Sequence, residues 1–238
     1  MKAMIFAAGL GTRLKPLTDT MPKALVPLAG KTLLQWQVER LRDAGITDII
    51  VNVHHFPDQI IEAVRAHQGW GCNILISDER DQLLDTGGGL RKALSPLTSH
   101  LSPVLACNVD ILSNIDIKAL IATYEQTNIS QLVVSDRKTQ RYLCFDGHDR
   151  LCGWTNIATG EVKGTDGRHL AFSGMQILSP QVLKRLDEMP NEKFSMIDFY
   201  LSIMDQEPLM GYVPTDYRMM DVGKIDQISE AESFAQSL

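Results

Sequence analysis

The chain has 238 residues, of which 44% are hydrophobic and 22% charged, and its net charge is −6. This composition is typical of a globular protein whose core is large enough to need no disulfide or metal staples. The acidic balance and the lack of a dense lysine or arginine run argue against a nucleic-acid-binding protein, and no apolar run approaches the length of a membrane span.

The spacing of the cysteines and the character of the N-terminus indicate the cellular compartment of the protein. Its cysteines, none of them in C-x-x-C spacing, are Cys72, Cys107, Cys144 and Cys152. This spacing predicts neither a zinc site nor a redox motif. The apolar stretch at the N-terminus is too short for a secretory signal peptide. We therefore expect reduced thiols in a cytoplasmic protein.

The first 112 residues alternate apolar runs with helical patterns. The apolar or β-branched runs at 4–8, 49–53, 73–76 and 104–107 predict buried strands. A helix is expected between the first two, with Thr32 as its N-cap and Gly45 as its stop. Further helices are expected around 60–64 and after the glycines at 87–89. This alternation predicts a parallel sheet covered by helices on both faces.

Residues 113–238 have a different sequence pattern, which predicts shorter strands and more turns. Strands are expected at 131–135, 141–145, 151–154, 170–178, 209–213 and 218–220. Helices are expected after Pro180, over 196–204 and over 225–234. We expect this half to extend the sheet of the first half, so that 1–238 forms a single domain.

The loop that follows the first strand carries the strongest chemical signal. It reads Gly9-Leu10-Gly11-Thr12-Arg13, and Lys23 lies ten residues beyond Arg13. Bare backbone N–H groups and fixed positive charge suit a polyphosphate. Leu14 occupies the third glycine position of a dinucleotide fingerprint, which disfavours a nicotinamide dehydrogenase, and the Gly-Lys-Ser/Thr of a P-loop is absent.

The longer stretch AAGLGTRLKPLTDTMPKALVPLAGKTLL, residues 7–34, resembles the signature of the sugar-1-phosphate nucleotidylyltransferases. It contains G-x-G-T-R, a spacer and then P-K. The resemblance covers nearly the whole chain. It implies a three-layer α/β/α Rossmann-like fold with a mixed, mainly parallel central sheet and no C-terminal β-helix. It also implies that 1–112 binds the nucleotide and 113–238 the sugar.

This resemblance assigns roles within the loop and at the triple glycine. Arg13 would hold the leaving pyrophosphate, and Lys23 would reach the reacting phosphates; both roles suit the chemistry of a guanidinium and an ammonium. The implied nucleotide contacts are Ala8, Gly9, Gly11, Thr12, Arg13, Gly87, Gly88 and Asn108. The glycines at 87–89 would lie against the nucleobase, and a plain flexible helix entry is the alternative.

Two aspartates far apart in the chain are the implied Mg²⁺ ligands. Asp110 follows the strand at 104–107, at the carboxyl end where α/β sheets bind ligands. Val109 stands where the family usually has glycine. Asp221 lies in a stretch that resembles the family's W-x-D-V-G segment, with Met219 at the tryptophan position. Carboxylates together with phosphate oxygens and waters suit octahedral Mg²⁺.

Sugar contacts are implied in the second half. The run Phe172-Ser173-Gly174-Met175 resembles the family's strand beside the sugar, which implies contacts from Ser173 and Gly174. A β-bulge explains the mid-strand glycine equally well. Asp198, near a helix start, matches a third sugar contact. The Glu-Lys-Pro triplet of thymidylyl-type members is missing from the middle third, which argues against that subtype.

The resemblance implies an enzyme that joins a nucleoside triphosphate to a sugar 1-phosphate and releases pyrophosphate. Among subtypes the chain is most similar to the N-acetylmuramate-1-phosphate uridylyltransferases. Alternatives are a guanylyltransferase for mannose or heptose 1-phosphate, a phosphocholine cytidylyltransferase, and a catalytically silent regulatory subunit that binds nucleotide sugars. The expected partners are these two substrates, without nucleic acid or membrane, in a monomer or homodimer.

Overall fold

The computed structural model describes residues 1–95 and 102–238. The strands, in chain order, are β1 (Lys2–Phe6), β2 (Pro27–Leu28), β3 (Lys31–Thr32), β4 (Asp48–Val53), β5 (Asn73–Asp78), β6 (Val104–Asn108), β7 (Ile111–Ser113), β8 (Ser130–Ser135), β9 (Arg141–Phe145), β10 (Leu151–Asn156), β11 (Glu161–Gly164), β12 (Arg168–Leu178), β13 (Leu209–Tyr212) and β14 (Met219–Asp221). The α-helices are α1 (Leu33–Asp43), α2 (Pro57–Ala66), α3 (Asp85–Leu94), α4 (Ile117–Thr127), α5 (Pro180–Lys184), α6 (Met196–Ile203) and α7 (Ile228–Gln236).

Strands from both halves of the chain join one mixed sheet in the order β11-β10-β9-β12-β6-β1-β4-β5. Strands β6, β1, β4 and β5 pair in parallel, as the alternation of strands and helices predicts. The second half adds antiparallel pairs from β12 to β11, and β8 bridges β12 and β13. The expected α/β fold with a mixed sheet is thereby confirmed.

The two faces of this sheet are covered by separate sets of helices. Successive side chains of a strand point to opposite faces. Accordingly, Ala3 and Ile5 of β1 join the core shared with α1, α2, α4 and α7. Met4 and Phe6 of the same strand join the core shared with α3, α5 and α6. Because β1 is buried on both faces, the sheet forms the middle of three layers.

Local signals account for most element boundaries. The Thr32 hydroxyl caps α1 by accepting the Gln35 N–H at 3.1 Å, and Gly45 follows the helix with a φ of +91°. Helix α4 and strands β7 and β11 were not expected. Helix α4 had a readable start, since the carboxylate of Asp116 accepts the Ala119 N–H at 3.0 Å. In the described part of the chain, no helix has the length and apolar character that crossing a membrane requires.

Candidate active site

A cavity of about 240 Å³ lies at the carboxyl ends of β1 and β6. Most of the predicted phosphate-binding and catalytic residues face it. Its lining consists of Phe6, Ala7, Gly9, Gly11, Thr12, Arg13, Lys23, Thr86, Asn108, Val109, Asp110 and Gly223. The parallel part of the sheet therefore brings the N-terminal loop and the end of β6 to one place, where α/β folds bind their ligands.

The conformation of the loop depends on Gly11, which adopts a φ of +64°. A Cβ at this position would lie 2.9 Å from Thr18 Cγ2 and 3.0 Å from Lys23 Cβ. The Thr18 hydroxyl also donates to the Gly11 carbonyl at 2.8 Å. Both the left-handed backbone and the lack of space require glycine. The loop is thus folded tightly against the segment that carries Lys23.

Lys23 and Asp110 form the most buried ion pair at the cavity. The ammonium of Lys23 donates a hydrogen bond to the carboxylate of Asp110, and both side chains are largely buried. A buried charge requires such a partner because it has lost its hydration. The pair fixes a cation and an anion side by side at the end of β6.

Asp221 reaches the same place through backbone pairing of β14 with β7. Asp221 lies opposite Ile111 in this antiparallel ladder, and the Val222 N–H donates to the Asp110 carbonyl at 2.8 Å. Burial, and next the carboxylate of Asp110, raise the pKa of Asp221. The Arg13 guanidinium lies 3.8 Å from the carboxylate of Asp221.

These two carboxylates suit a hard divalent cation. The carboxylate of Asp110 is close enough to Asp221 to raise the pKa of Asp221, and a cation between the two carboxylates would remove that penalty. Carboxylate oxygens, open to further oxygen ligands from the cavity, are the donor set of Mg²⁺. The predicted metal residues are thus adjacent, although they are 111 positions apart.

A second cavity of about 270 Å³ adjoins the first and shares Phe6, Gly9 and Thr86 with it. Its remaining lining residues are Ala8, Asn52, Leu83, Asp85 and Lys193. Of the predicted nucleotide contacts, Ala8 and Gly9 line this cavity. The N-terminal loop therefore lies between two cavities, the one that contains Arg13, Lys23 and Asp110 and the one that contains Asn52 and Lys193.

A buried polar network supports the loop between the two cavities. The side-chain oxygen of Asn52 accepts the Ala7 N–H at 2.7 Å, and its amide nitrogen donates to Glu79 Oε1 at 2.7 Å. The other carboxylate oxygen of Glu79 accepts the Leu84 N–H at 3.1 Å. Sequence reasoning missed these residues. The available signal was a polar Asn52 within an otherwise β-branched strand.

The structure does not bring Gly87 and Gly88 to either of these cavities. Both lie inside α3, which begins at Asp85, so the expected open glycine segment before the helix is wrong. Their N–H groups donate to the Phe194 carbonyl at 2.9 and 3.1 Å. A Cβ on Gly88 would lie 2.2 Å from the Glu192 carbonyl oxygen. The glycines therefore permit close packing, and Thr86 is the residue of this segment that faces both cavities.

The predicted sugar residues lie in two elements, Ser173 and Gly174 in β12 and Asp198 in α6. Gly174 has a φ of +70° beside a register break between β12 and β8, which is the β-bulge alternative. A Cβ on Gly174 would lie 2.8 Å from the amide nitrogen of Asn108, at the cavity wall. Ser173 is buried, and Asp198 is exposed and accepts a 2.7 Å hydrogen bond from the Ser195 hydroxyl. Their contacts with a sugar stay predictions.

Comparison with known proteins is consistent with this geometry. An N-acetylmuramate alpha-1-phosphate uridylyltransferase from Neisseria meningitidis is 34% identical over 239 residues, which cover 99% of this chain and 98% of that protein. A mannose-1-phosphate guanyltransferase from Schizosaccharomyces pombe is 32% identical over 80% of this chain, and the match spans 53% of that protein. A solved putative glucose-1-phosphate thymidylyltransferase from Bacillus anthracis has a TM-score of 0.85 at 15% identity, covering 100% of this chain and 96% of that one, and shares the fold.

The family assignment rests on the whole length of the chain. The sequence model of the family described as nucleotidyl transferase matches residues 2–237. The match includes the N-terminal loop, Asp110 and Asp221, which the fold brings together. The chain therefore belongs to the nucleotidyl transferase family, and its resemblance to the sugar-1-phosphate nucleotidylyltransferases is confirmed.

Proposed function

We propose that the chain transfers the uridylyl group of UTP to an N-acetylmuramate-like sugar 1-phosphate and releases pyrophosphate. The observation that carries the chemistry is the convergence of Arg13, Lys23 and Asp110 at one cavity, with Asp221 beside Asp110 and Arg13. Two cations and two carboxylates grouped at one place suit transfer of a nucleotidyl group. The choice of uridylyl and N-acetylmuramate is supported by the full-length relative from Neisseria meningitidis.

In the proposed reaction, an oxygen of the sugar phosphate attacks the α-phosphorus of UTP. The new P–O bond forms as the bond to the departing pyrophosphate breaks in line, and the electron pair leaves with the pyrophosphate. The attacking oxygen is already anionic at neutral pH, so no general base is needed. Catalysis then consists of alignment and neutralisation of charge.

The position of each residue determines its proposed role in alignment and charge neutralisation. Arg13, half-exposed at the cavity mouth, is placed to pair with the leaving pyrophosphate through its planar guanidinium. Lys23, deeper and beside Asp110, is placed to neutralise charge on the α-phosphate. Asp110 and Asp221 would hold Mg²⁺, which supplies positive charge to the phosphate oxygens when it is bound. Asn52 would keep the loop in place through the Ala7 N–H.

The two compartments suggest how the nucleotide would lie. The charged cavity would take the phosphates, and the neighbouring cavity lined by Asn52 and Lys193 would take the base. Gly9 lines both cavities, so the α-phosphate would lie beside it, between the two. A guanylyltransferase acting on mannose or heptose 1-phosphate is the second candidate, supported by the relative from Schizosaccharomyces pombe.

The test is pyrophosphate release with Mg²⁺ across a matrix of nucleoside triphosphates and sugar 1-phosphates, with phosphocholine included. UTP with N-acetylmuramate 1-phosphate should exceed every other pair. GTP with mannose or heptose 1-phosphate in first place would replace the substrate assignment. A blank matrix from protein that still binds UTP would indicate a regulatory binder.

An active-site variant shows whether any turnover belongs to this site. Asp110→Asn should remove turnover because it removes a proposed metal ligand and the partner of Lys23. Asp58→Asn, which breaks an exposed ion pair with Arg80 instead, is the matched control and should keep wild-type rates. Turnover by folded Asp110→Asn protein at the wild-type rate would overturn the assignment of Asp110.

A further inference from the structure

A cluster of three ligating side chains lies in the second half of the molecule, outside the candidate active site. Ligand atoms of Cys144, Asp166 and His169 all lie within 4.8 Å of one another. The His169 Nε2 atom is 2.6 Å from Asp166 Oδ1, and the Cys144 sulfur is 3.9 Å from the same oxygen. We infer that these three side chains form a second metal site, which binds a zinc-like divalent cation.

The antiparallel sheet builds this cluster from three separate segments. Cys144 of β9 lies directly opposite His169 of β12, so the two side chains share one face. Asp166 lies in the turn between β11 and β12. The turn approaches closely at Gly167, where a Cβ would lie 2.3 Å from the Phe145 carbonyl oxygen. Pairing and turn together fix the three positions.

The donor set is the one that zinc takes in proteins. Thiolate sulfur, imidazole nitrogen and carboxylate oxygen bind Zn²⁺ at about 2.0–2.3 Å, which places tetrahedral ligands roughly 3.3–3.8 Å apart. The separation of Cys144 and Asp166 is already close to this value. His169 must move away from Asp166 by about 1 Å, which is feasible because both side chains are exposed. A water would complete the tetrahedron.

Binding at this cluster is chemically distinct from binding at Asp110 and Asp221. The metal replaces the thiol proton of Cys144, and that proton passes to solvent. A thiolate and an imidazole favour Zn²⁺ over Mg²⁺, whereas two carboxylates favour Mg²⁺. Because the bound metal would join β9, β12 and the turn before β12, it would stabilise this part of the sheet. The inference holds whether or not the proposed transfer reaction does.

The test uses full-length, metal-free protein in excess Mg²⁺, so that the carboxylate site does not compete. Zn²⁺ is titrated against a chromophoric chelator, and Co²⁺ is added separately to record its absorption spectrum. We expect one tightly bound Zn²⁺ per chain, a thiolate-to-cobalt charge-transfer band, and a rise in Tm on addition of Zn²⁺.

Variants assign the ligands. His169→Ala should weaken Zn²⁺ binding at least tenfold, whereas His67→Ala, another exposed histidine, should not. Cys144→Ser should abolish the charge-transfer band, with Cys72→Ser as its control. Because Cys144 is buried, Cys144→Ser could fail to fold. Asp166 is exposed, so Zn²⁺ affinity is also measured in Asp166→Asn. Loss in the His169 and Asp166 variants supports the site. Absence of stoichiometric Zn²⁺, or wild-type affinity in His169→Ala, overturns it.

Discussion

Substitution of Gly88 by alanine separates a packing role from a role in nucleotide binding. The added Cβ would lie 2.2 Å from the carbonyl oxygen of Glu192, so the backbone there must move by about 1 Å to reach an ordinary contact. The same segment carries Phe194. Its carbonyl accepts the N–H groups of Gly87 and Gly88, and its own N–H donates to the Leu84 carbonyl at 3.2 Å. A shift at Glu192 therefore also strains these hydrogen bonds.

The expected loss of stability combines two destabilising contributions and one stabilising contribution. Overpacking costs about 1–3 kcal/mol, and weakening the two hydrogen bonds that the Phe194 carbonyl accepts adds about 1 kcal/mol each. Alanine returns up to about 1 kcal/mol through its better helix propensity. Gly88→Ala should therefore lower the free energy of unfolding by about 2–4 kcal/mol.

The assay is urea unfolding, with Gly147→Ala as the matched control. A Cβ on Gly147 meets no atom within 4 Å, so the control should change stability by less than about 0.5 kcal/mol. The folded fraction of Gly88→Ala should keep the wild-type KM for UTP. Wild-type stability in Gly88→Ala would refute the packing argument. A raised KM for UTP at wild-type stability would place Gly88 against the nucleotide.

Three further predictions test the site and the core. Lys23→Met should lower kcat in the pyrophosphate assay by about 10²–10³-fold, because it removes charge that acts in the transition state; a change confined to KM would contradict this. Asn52→Ala should lower the free energy of unfolding by about 2–4 kcal/mol, since it leaves the buried Glu79 Oε1 atom and the Ala7 N–H without the partner that Asn52 gives them. Urea unfolding at wild-type stability would refute the network. Burial raises the pKa of Cys107 to about 12, so native protein should resist iodoacetamide at Cys107, as measured by peptide mapping; rapid labelling of the folded chain would contradict that burial.

The alternation of strands and helices in the first half was predictable because its signals are local. The Thr32 cap and the Gly45 stop lie within two residues of the ends of the helix that they bound. Strand β11 had no comparable signal, since Val162 is its single strongly apolar residue and is exposed. The environment of the triple glycine was difficult to predict for another reason. A sequence shows that the backbone is bare but does not show which part of the chain packs against it. In the structure, the atoms nearest Gly87 and Gly88 include those of Phe194 and Glu192.

Of the two aspartates of the proposed metal site, one could be placed from local sequence and the other only from the pairing of distant strands. The carboxylate of Asp110 is positioned by the end of β6, but that of Asp221 depends on the short ladder of β7 with β14. Asn114 anchors the start of this ladder, because its side-chain oxygen accepts the Arg218 N–H at 2.7 Å and its own N–H donates to the Arg218 carbonyl at 3.1 Å. Neither strand has a periodicity long enough to predict the pairing. Asp221 was therefore identifiable only through family resemblance, and its position beside Asp110 is a consequence of backbone hydrogen bonds between distant segments.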